Sequence, residues 1–573
     1  MAQLREPGLG PIVGHTTHNS CRIWIRAGDP EDAGAKLSSE RRTIGVAAVT
    51  KEAGKDIPKA QRQVFYFRLH REYDRTGTLN LGVDPGIGES GKPRPLKPET
   101  DYEVRVGTLT LDDPFRSDRI VSSEQIEEFL PKADPAIWWP ELEALREHRS
   151  VATFRTFSKT EPAKSGPLSF IIGSCRYPGL LWKIKEADQI FGPLLKEGRG
   201  QGPGSKRRPV EFVLMAGDQI YADMLNRHVP LGRADTYDEF QERYLTAFGS
   251  RNMRKLLSNV PTYMILDDHE IEDNWHQDRI EQAESRRIFN IAINAYMSYQ
   301  WSHCPRTFLP WLYYLFDCGA YPFFVLDTRT QRFLDDIEDC LEDNCLLGRP
   351  SRGHDEPSQL ERLVEWLKVC QKERGDLPKF IVTSSVFVPN PMKARTGRLG
   401  EPEFRVTDTR VIDAMNDCDS WPAFPNTRRE ILQTIIDHKV QNVVFLSGDI
   451  HCSNVAEMRF TRKKKDLGLK AFSITSSAFY WPFPFADGAP SNYVHDSTRK
   501  DERDSFLVSE DEVMDYKAWN FTQEDNYCRV DLDRKKATLT VCPYDYEGNP
   551  IRERGWWGKE GKVLETTLKL APW

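Results

Sequence analysis

The sequence lacks any long hydrophobic run. No window of the 573 residues approaches the roughly 20 consecutive apolar residues that a membrane-spanning helix needs. The opening residues, MAQLREPGLG, also lack the apolar segment after a basic stretch that marks a secretory signal peptide. We therefore predict a cytoplasmic protein with no membrane partner, or an extracellular or periplasmic one if the start has been trimmed.

Cysteine is scarce, and no CxxC pair occurs. The 11 cysteines are odd in number and widely spread, which favours reduced thiols over a disulfide framework. Excess positive charge is also absent, because 79 Lys and Arg residues face 86 Asp and Glu residues, a net charge of −7. We therefore expect no nucleic-acid binding. The oligomeric state stays open.

The composition is that of a globular protein with ample material for a core. Hydrophobic residues make up 39% of the chain, charged residues 29% and aromatic residues 11%. These proportions exclude a disordered chain and a coiled coil. The length allows two domains.

The first 157 residues are dominated by short segments in which apolar and polar residues alternate. Such segments include residues 21–26, 62–69, 102–107 and 151–157. With turns rich in Gly, Pro and Asp between them, they predict an antiparallel β-sandwich of the immunoglobulin or fibronectin kind. The polar stretch 158–167 is a predicted linker. We therefore predict one domain over residues 1–157 and a second over 158–573.

The second domain shows buried strands that each end in polar residues. Continuous apolar runs predict strands at residues 168–172, 211–216, 263–266, 323–326, 380–383, 443–446 and 472–475. Three segments with helical periodicity separate several of them: residues 286–301, 358–370 and 427–438. Ser358 with Glu361 and Thr427 with Glu430 predict capping boxes at two of the helix starts. The pattern predicts a layered α/β core with its site beyond the carboxyl ends of the strands.

Three strand ends carry acidic residues and potential metal ligands. In GDQIY, Asp218 follows a strand and Tyr221 can return to the same point; the alternative is a capped turn. In DDHE, Asp268 stands beside another aspartate and His269, a set that needs a cation or strong donors nearby. The alternative there is the acidic start of a helix. In SGDIH, Asp449 and a second histidine follow a third strand, where the alternative is an exposed loop.

Taken together, these clusters favour a metal site. Thiolate, phenolate, carboxylate and imidazole ligands suit ferric iron, or alternatively zinc. A site made of carboxylate oxygens and water suits calcium, magnesium or manganese. We therefore predict two unlike metal sites that share one carboxylate.

Five motifs in order resemble the PhoD-like alkaline phosphatase family of the calcineurin-like metallophosphoesterase superfamily. They are GSCRYPG (173–179), MAGDQIYAD (215–223), LDDHEIEDNW (266–275), LDTRTQR (326–332) and LSGDIHCSN (446–454). The segment GPIVGHTTHNSCRIWIRA (10–27) resembles the leading β-sandwich of that family. The resemblance covers essentially the whole chain and implies a layered metallophosphoesterase core.

The resemblance also implies roles for individual residues. Cys175 and Tyr221 would bind Fe³⁺, and Asp218 would bridge it to the second metal. Asp268 would bind that second metal, with Ca²⁺ as the expected ion and Mg²⁺ or Mn²⁺ as alternatives. His269 would serve the leaving group.

The last motif completes the ligand set. By the same resemblance, Asp449 would bind the second metal and His451 the iron, for which Zn²⁺ is the alternative. Arg176 and Arg329 are candidate phosphate clamps, because guanidinium presents a planar fork to phosphate. Each of them could instead form a salt bridge. Asn274 is a candidate contact to a phosphate oxygen or to the second metal.

The predicted function is therefore a metal-dependent phosphoesterase. It would hydrolyse phosphate monoesters, diesters or both, in a small molecule or a polymer, by attack of a metal-bound hydroxide. The alternatives are a catalytically inactive relative that binds a partner through its β-sandwich, and a protein with a structural metal. The presence of every expected ligand favours the enzyme. Residues 388–425 and 480–504 match no motif, and substrate choice is expected to reside there.

Overall fold

The protein is a mixed α/β structure with four β-sheets. The computed structural model describes residues 3–28, 41–82, 94–112, 125–126, 128, 130–179, 184–201, 207–225, 229–334, 341–349, 356–390, 419–483, 504–553 and 561–573. Most of the unassigned segments 388–425 and 480–504 lies outside this part of the chain. None of the described helices combines the length and apolarity that crossing a bilayer requires.

A six-stranded sheet carries three of the motif-bearing strands. Its strands in spatial order are Thr262–Met264, Phe212–Met215, Leu168–Gly173, Tyr527–Asp533, Thr538–Tyr544 and Thr566–Lys569. The first three run parallel to one another, and the last three join them antiparallel. The three parallel strands consequently end at the same edge.

A nine-stranded sheet carries the other two motif-bearing strands, Tyr321–Val325 and Val443–Ser447. Its strands in spatial order are Tyr314–Cys318, Tyr321–Val325, Lys379–Val382, Val443–Ser447, Ala471–Thr475, Ser453–Arg462, Glu512–Thr522 and Asp504–Ser509, with the short Lys465–Asp466 paired to Ser453–Arg462. Four neighbouring strands at its centre are parallel. Together the two sheets contain all seven strands that the apolar runs predict.

The two large sheets pack face to face through aromatic side chains. Phe170 and Phe212 of the six-stranded sheet stack on each other with ring centroids 5.1 Å apart. Phe323 and Phe380 of the nine-stranded sheet do the same at 4.5 Å. Phe170 meets Phe323 edge to face at 5.8 Å, which joins the two pairs into one buried core.

Helices cover the outer faces of this pair of sheets. Within the described residues the α-helices are Pro135–Ala144, Glu147–Ser150, Ile184–Gln189, Phe191–Gly198, Tyr237–Gly249, Arg251–Leu257, Ala283–Tyr299, Gln359–Arg374 and Pro425–Asp437. Short 3₁₀ turns lie at Lys59–Gln61, Arg71–Tyr73, Pro162–Lys164, Asp268–Glu270, Gln277–Glu281, Trp301–His303, Leu341–Asp343 and Trp421–Ala423. Apolar residues of the two helices Gln359–Arg374 and Pro425–Asp437 form a second core against the nine-stranded sheet.

The three predicted helices are present, and one of the two capping boxes is correct. Ser358 caps its helix, because its hydroxyl accepts a hydrogen bond from the backbone N–H of Glu361. The Glu361 carboxylate in turn accepts one from the backbone N–H of Ser358. The box predicted for Thr427 and Glu430 is wrong, because that helix begins at Pro425. Proline suits a first helical position, since its fixed φ is already helical and no N–H is lost. Thr427 therefore lies inside the helix, where its hydroxyl accepts a bond from Leu346 N at 3.4 Å.

The N-terminal region contains two antiparallel sheets. One has the strands Leu9–Thr16, Cys21–Arg26 and Thr76–Leu81; the other has Lys55–Asp56, Arg41–Glu52, Asp101–Asp112 and Val151–Arg155, with Phe65–Arg68 paired to Arg41–Glu52. Ile23 and Ile25 of the first share a buried cluster with Val104 and Val106 of the second. Trp24, on the same strand, instead joins the core of the two large sheets.

The cysteines of the described residues are free thiols. Nine are present there, and eight of the nine are buried. This confirms the prediction against a disulfide framework for that part of the chain.

Candidate metal centre

Polar residues from four strand ends meet at one edge of the paired sheets. Cys175 follows Leu168–Gly173, and its backbone nitrogen donates to Gly217 O at 3.1 Å, at the end of the neighbouring strand. Ala222 N donates to His269 O at 2.8 Å, which joins the second motif to the third. Parallel strands place their carboxyl ends side by side, and the motifs meet for this reason.

Two glycines make this convergence possible. A Cβ on Gly217 would lie 2.4 Å from Cβ of Asp267, and its φ of +103° is one that side chains rarely adopt. A Cβ on Gly448 would lie 2.3 Å from Oγ of Ser174. Both distances are far below any van der Waals contact, so any larger residue would push the motifs apart.

Several of the predicted ligands have a left-handed backbone, which is uncommon outside glycine. The φ angles are +56° for Cys175, +56° for Asp218, +70° for Asp449 and +49° for His451. Asn274 is also left-handed, at +55°. Such conformations cost free energy and persist where the surroundings enforce them, typically at functional sites.

A first group of potential ligands contains Cys175, Asp218 and His451. One ligand atom from each lies within 4.8 Å of the others. The hydroxyl of Tyr221 is 3.3 Å from Oδ2 of Asp218 and 3.3 Å from Nε2 of His451. Thiol, carboxyl, imidazole and phenol groups thus surround one point.

A second group contains Asp218, Asp268 and His269, with the same 4.8 Å spacing. Asp218 belongs to both groups. This arrangement matches the expectation of two unlike sites with one carboxylate in common. The family resemblance assigns His269 to the leaving group. In the structure one of its ring nitrogens also lies within 4.8 Å of carboxylate oxygens of Asp218 and Asp268.

The carboxyl groups of the centre are buried close together. Burial raises the pKa of Asp218 well above its usual value, and the nearby Asp267 and Asp268 add to this rise, against His269. Burial and Asp267 likewise raise the pKa of Asp449. Burial is the largest cause of both shifts, and a bound cation would offset it together with the repulsion between the carboxylates.

Arg329 supplies part of the opposing charge. Its guanidinium is fully buried, with Nε 2.6 Å from Oδ1 of Asp267 and a second nitrogen 2.5 Å from Oδ2 of Asp419. It is also 3.5 Å from Oδ1 of Asp268. Although burial opposes the shift, Arg329 and His269 lower the pKa of Asp268. Asp268 is therefore the carboxylate of the centre that ionises most readily.

The thiol of Cys175 is fully enclosed and held by hydroxyl groups. Oγ of Ser477 donates to its sulfur at 3.1 Å, and Oγ of Ser174 lies 3.2 Å away. Burial and the charge of Asp218 raise the pKa of this thiol, while the two serines lower it. A cation would be needed to hold Cys175 as a thiolate.

The two histidines of the centre differ in charge. Burial and the neighbouring His269 lower the pKa of His451 to about 3, so its ring is neutral and has a lone pair to offer a metal. Burial alone would lower the pKa of His269 as well, but Asp223 and Asp268 raise it well above its usual value. Nδ1 of His269 is 2.9 Å from both carboxylate oxygens of Asp223. That contact leaves Nε2 free to face a substrate.

The carboxylate of Glu270 accepts hydrogen bonds from the backbone at two of the strand ends. Its Oε2 accepts from the backbone nitrogens of Asp218 at 3.1 Å and Asp267 at 2.9 Å. Its Oε1 accepts from Gln219 N at 2.7 Å and from the side-chain amide of Gln300 at 3.1 Å. Each oxygen therefore receives two donors in a fully buried position.

Three further predicted residues, Arg176, Asn274 and Asp449, lie outside both ligand groups. The Arg176 side chain is buried, donates to Oγ of Ser250 at 3.3 Å, and packs 5.7 Å from the ring of Phe191. Asn274 N donates to Oδ2 of Asp268 at 2.6 Å. The carboxyl group of Asp449 belongs to neither ligand group, although its backbone oxygen accepts from the Cys175 thiol at 3.4 Å.

Sequence reasoning missed Asp223 and Glu270. Both lie inside the five motifs, and this position was the sequence feature that could have indicated them. Their roles depend on contacts made in the fold: Asp223 contacts His269, and Glu270 contacts the backbone of the motif that contains Asp218. It also missed the contact of Trp481 with His451, whose rings stack with centroids 3.7 Å apart. No pattern around Trp481 predicts that contact.

The residues present fit a pair of metal ions. Among the described residues, Oδ1 of Asp218 and Oδ1 of Asp268 are buried without a hydrogen-bond partner. Buried carboxylate oxygens are normally satisfied, and a cation between them would satisfy both. The first group, with its sulfur and nitrogen, suits iron or zinc, and the oxygen-rich second group suits a harder ion.

Comparison with known families identifies the chain. The family described as PhoD-like phosphatase matches residues 204–541, more than half of the chain. The chain belongs to the PhoD-like phosphatase family and is a phosphatase-type hydrolase. Members of this family depend on metal ions, in keeping with the two ligand groups.

One solved structure has a similar fold. The structure described as "Structure of PhoD" aligns over 98% of this chain and 94% of its own, with a TM-score of 0.58 and 14% identity. A second, described as "GAP50 the anchor in the inner membrane complex of Plasmodium", covers 70% of this chain and 89% of its own at 10% identity. Its TM-score is 0.31. The comparison with curated proteins finds no match.

Proposed function

We propose that the chain is a metal-dependent phosphoesterase that hydrolyses phosphate monoesters, diesters or both at the centre built around Asp218. The observation that carries this proposal is the position of Asp218 in both ligand groups. A carboxylate shared by two unlike ligand sets could contribute to the binding of two cations at once. Bound there, the ions would act as Lewis acids and would lower the pKa of a water molecule toward about 7.

The chain's own residues would hold those ions and handle the proton of the leaving group. Cys175, Tyr221 and His451 would bind Fe³⁺, with Zn²⁺ as the alternative. Asp218 and Asp268 would bind Ca²⁺, with Mg²⁺ or Mn²⁺ as alternatives, and we propose that Asp449 joins them.

His269 is the proposed general acid. Asp223 accepts a hydrogen bond from Nδ1 of its ring, which orients the imidazole, and the same carboxylate raises its pKa. Nε2 can then donate a proton to the departing oxygen. Arg329 stays paired with Asp267 and Asp419, so we propose that it and Arg176 position the centre rather than clamp phosphate.

The wider organisation is also part of the proposal. We propose an immunoglobulin- or fibronectin-like sandwich over residues 1–157 and the catalytic domain over 158–573. The two antiparallel sheets with their common buried cluster support the first. The substrate would be a phosphorylated small molecule or polymer, and the net charge of −7 supports the absence of nucleic-acid binding.

Loss and restoration of metals tests the function. Chelation should abolish hydrolysis of nitrophenyl phosphate and bis-nitrophenyl phosphate, and iron with calcium should restore it. Asp218→Asn should lower kcat/KM by more than about 100-fold, because it weakens both ligand groups. Asp437→Asn, on an exposed helix end, serves as the matched control. Full activity in metal-free protein would contradict the proposal, and no activity with any loaded metal would favour the binding-protein alternative.

A further inference from the structure

A group of aromatic side chains lies against the metal centre. We call Tyr177, Tyr221, Trp481 and Phe483 the aromatic wall. Tyr177 meets Tyr221 at 5.1 Å, Trp481 at 5.6 Å and Phe483 at 5.0 Å between ring centroids. Trp481 lies flat on the ring of His451, with centroids 3.7 Å apart and planes 16° apart. The wall therefore includes one potential metal ligand and stacks on another.

Backbone contacts fix the wall relative to the centre. Tyr177 N donates to Tyr480 O at 3.1 Å, and Tyr480 N donates to Cys175 O at 3.3 Å. Trp481 N donates to Oδ1 of Asp525 at 2.9 Å. The segment that carries Trp481 is thereby held beside the segment that carries Cys175.

The wall extends from the centre toward solvent. Tyr177 and Tyr221 are buried, at 1% exposure each, whereas Trp481 and Phe483 are half-buried. A half-buried tryptophan next to a potential metal ligand offers surface to a molecule bound at the centre.

Two polar atoms of the wall are buried without a hydrogen-bond partner among the described residues. They are Oη of Tyr177 and Nε1 of Trp481. Buried tyrosine and tryptophan normally find such a partner, because leaving a donor unpaired costs free energy. Tyr177 also lies within electrostatic reach of Asp223 and His269. Both unpaired donors thus belong to residues beside the reacting groups.

Carboxylates border the Trp481 end of the wall, whereas Arg243 and His269 lie within electrostatic reach of Tyr177 at the other end. Glu186 accepts a hydrogen bond from Oη of Tyr480 at 3.1 Å, and Asp525 holds the backbone of Trp481. These carboxylates disfavour a second anionic group at this side of the centre. Flat rings favour a planar partner, since aromatic pairs gain from stacked and edge-to-face arrangements.

We propose that the aromatic wall is the subsite for the organic group of the phosphoester, and that it accepts an uncharged planar aromatic group that stacks on Trp481. This inference rests on the proposed phosphoesterase function and adds the substrate class to it. The phosphoryl group would lie at the metal centre and the ring of the ester against the wall.

Binding of two phosphonates to the metal-loaded full chain tests the subsite without turnover. Phenylphosphonate carries the ring and methylphosphonate does not, while both present the same anionic head. By calorimetry, Trp481→Leu should raise the Kd for phenylphosphonate about 10-fold or more, since a stacked ring contributes that much. It should change the Kd for methylphosphonate less than about 2-fold.

Two variants control for indirect effects. Trp366→Leu removes a tryptophan that packs on Phe324 in the other core, and should leave both Kd values unchanged. Trp481→Phe keeps a ring on His451 and should retain most of the phenylphosphonate affinity. Thermal unfolding confirms that each variant is folded.

The outcomes separate the two proposals. Equal losses for both phosphonates in Trp481→Leu, or no loss for either, would overturn the subsite while wild-type hydrolysis of esters leaves the phosphoesterase standing. A loss in Trp481→Phe as large as in Trp481→Leu would also overturn it, because an aromatic ring at this position would then add no affinity for the phenyl group. Wild-type protein that binds neither phosphonate and hydrolyses no ester would overturn the proposed function and the subsite with it.

Discussion

Glu270→Gln is the substitution whose effect follows most directly from the structure. The change preserves shape but replaces one carboxylate oxygen with an NH₂ group, which cannot accept. Oε2 receives the backbone N–H groups of Asp218 and Asp267, and Oε1 receives those of Gln219 and the Gln300 amide. Whichever oxygen is replaced, at least one backbone N–H loses its acceptor and faces another donor.

The expected cost can be worked from these contacts. A buried donor left unsatisfied costs about 1–3 kcal/mol. If the NH₂ group faces Gln219, the Gln300 amide can rotate to accept from it, so one donor is orphaned; the other orientation orphans two. We therefore expect the free energy of unfolding to fall by about 1–3 kcal/mol. Because Asp218 N and Asp267 N position two neighbouring strand ends, metal affinity should fall about 10- to 100-fold as well.

The assay is urea unfolding of metal-free protein together with metal titration. Glu365→Gln, on the exposed face of the helix Gln359–Arg374, is the matched control and should unfold like wild type within about 0.5 kcal/mol. A Glu270→Gln protein that matches this control in both stability and metal affinity would refute the role of Glu270 as the link between the strand ends.

The remaining predictions concern proton donation to the leaving group, the visible absorption spectrum and the pH dependence of stability. His269→Ala should reduce turnover of alkyl phosphates by roughly 10²–10⁴-fold but that of nitrophenyl phosphates much less, because a good leaving group needs no proton; equal losses would assign His269 a positioning role. Iron-loaded protein should absorb visible light, and Tyr221→Phe and Cys175→Ser should each shift or weaken the band, whereas a zinc protein with its filled d shell is colourless. In metal-free protein, burial raises the pKa of Glu270 to about 7. Its folded form then retains a proton that the unfolded chain loses near pH 4.5, so this group alone lowers the free energy of unfolding by up to about 3 kcal/mol as pH rises from 4.5 to 7. Buried neutral histidines such as His303 act in the opposite direction, so the measurement is the difference in unfolding free energy between wild type and Glu270→Gln. That difference should move in favour of the variant as pH rises, and a move in favour of wild type would contradict the burial of this carboxyl group.

The sequence was sufficient to predict the strands and the residues at their ends. Runs such as 323–326 and 443–446 are apolar throughout, which is typical of a strand covered on both faces. Parallel strands place their carboxyl ends together, so Cys175, Asp218 and Asp268 could be expected to meet. A motif resemblance then named the individual ligands.

Contacts between distant segments were beyond such reasoning. Arg329 is committed to Asp267 and to Asp419, which stands 90 positions further along the chain. From the sequence, a guanidinium at a strand end is as compatible with a phosphate contact as with an ion pair. Only the fold shows which carboxylates lie close enough to pair with it. The start of the helix Pro425–Asp437 was also mispredicted from the sequence. Thr427 and Glu430 have the spacing of a capping box, but the helix already begins at Pro425.

Anomalous diffraction from crystals of the metal-loaded protein tests the central claim most directly. The account predicts two peaks about 3.5–4 Å apart, one on each side of the Asp218 carboxylate. The first should lie among Cys175, Tyr221 and His451 and show the iron edge, and the second should lie beside Asp268. A single ion that does not contact Asp218, or none at all in active protein, would contradict the claim that two cations share this carboxylate.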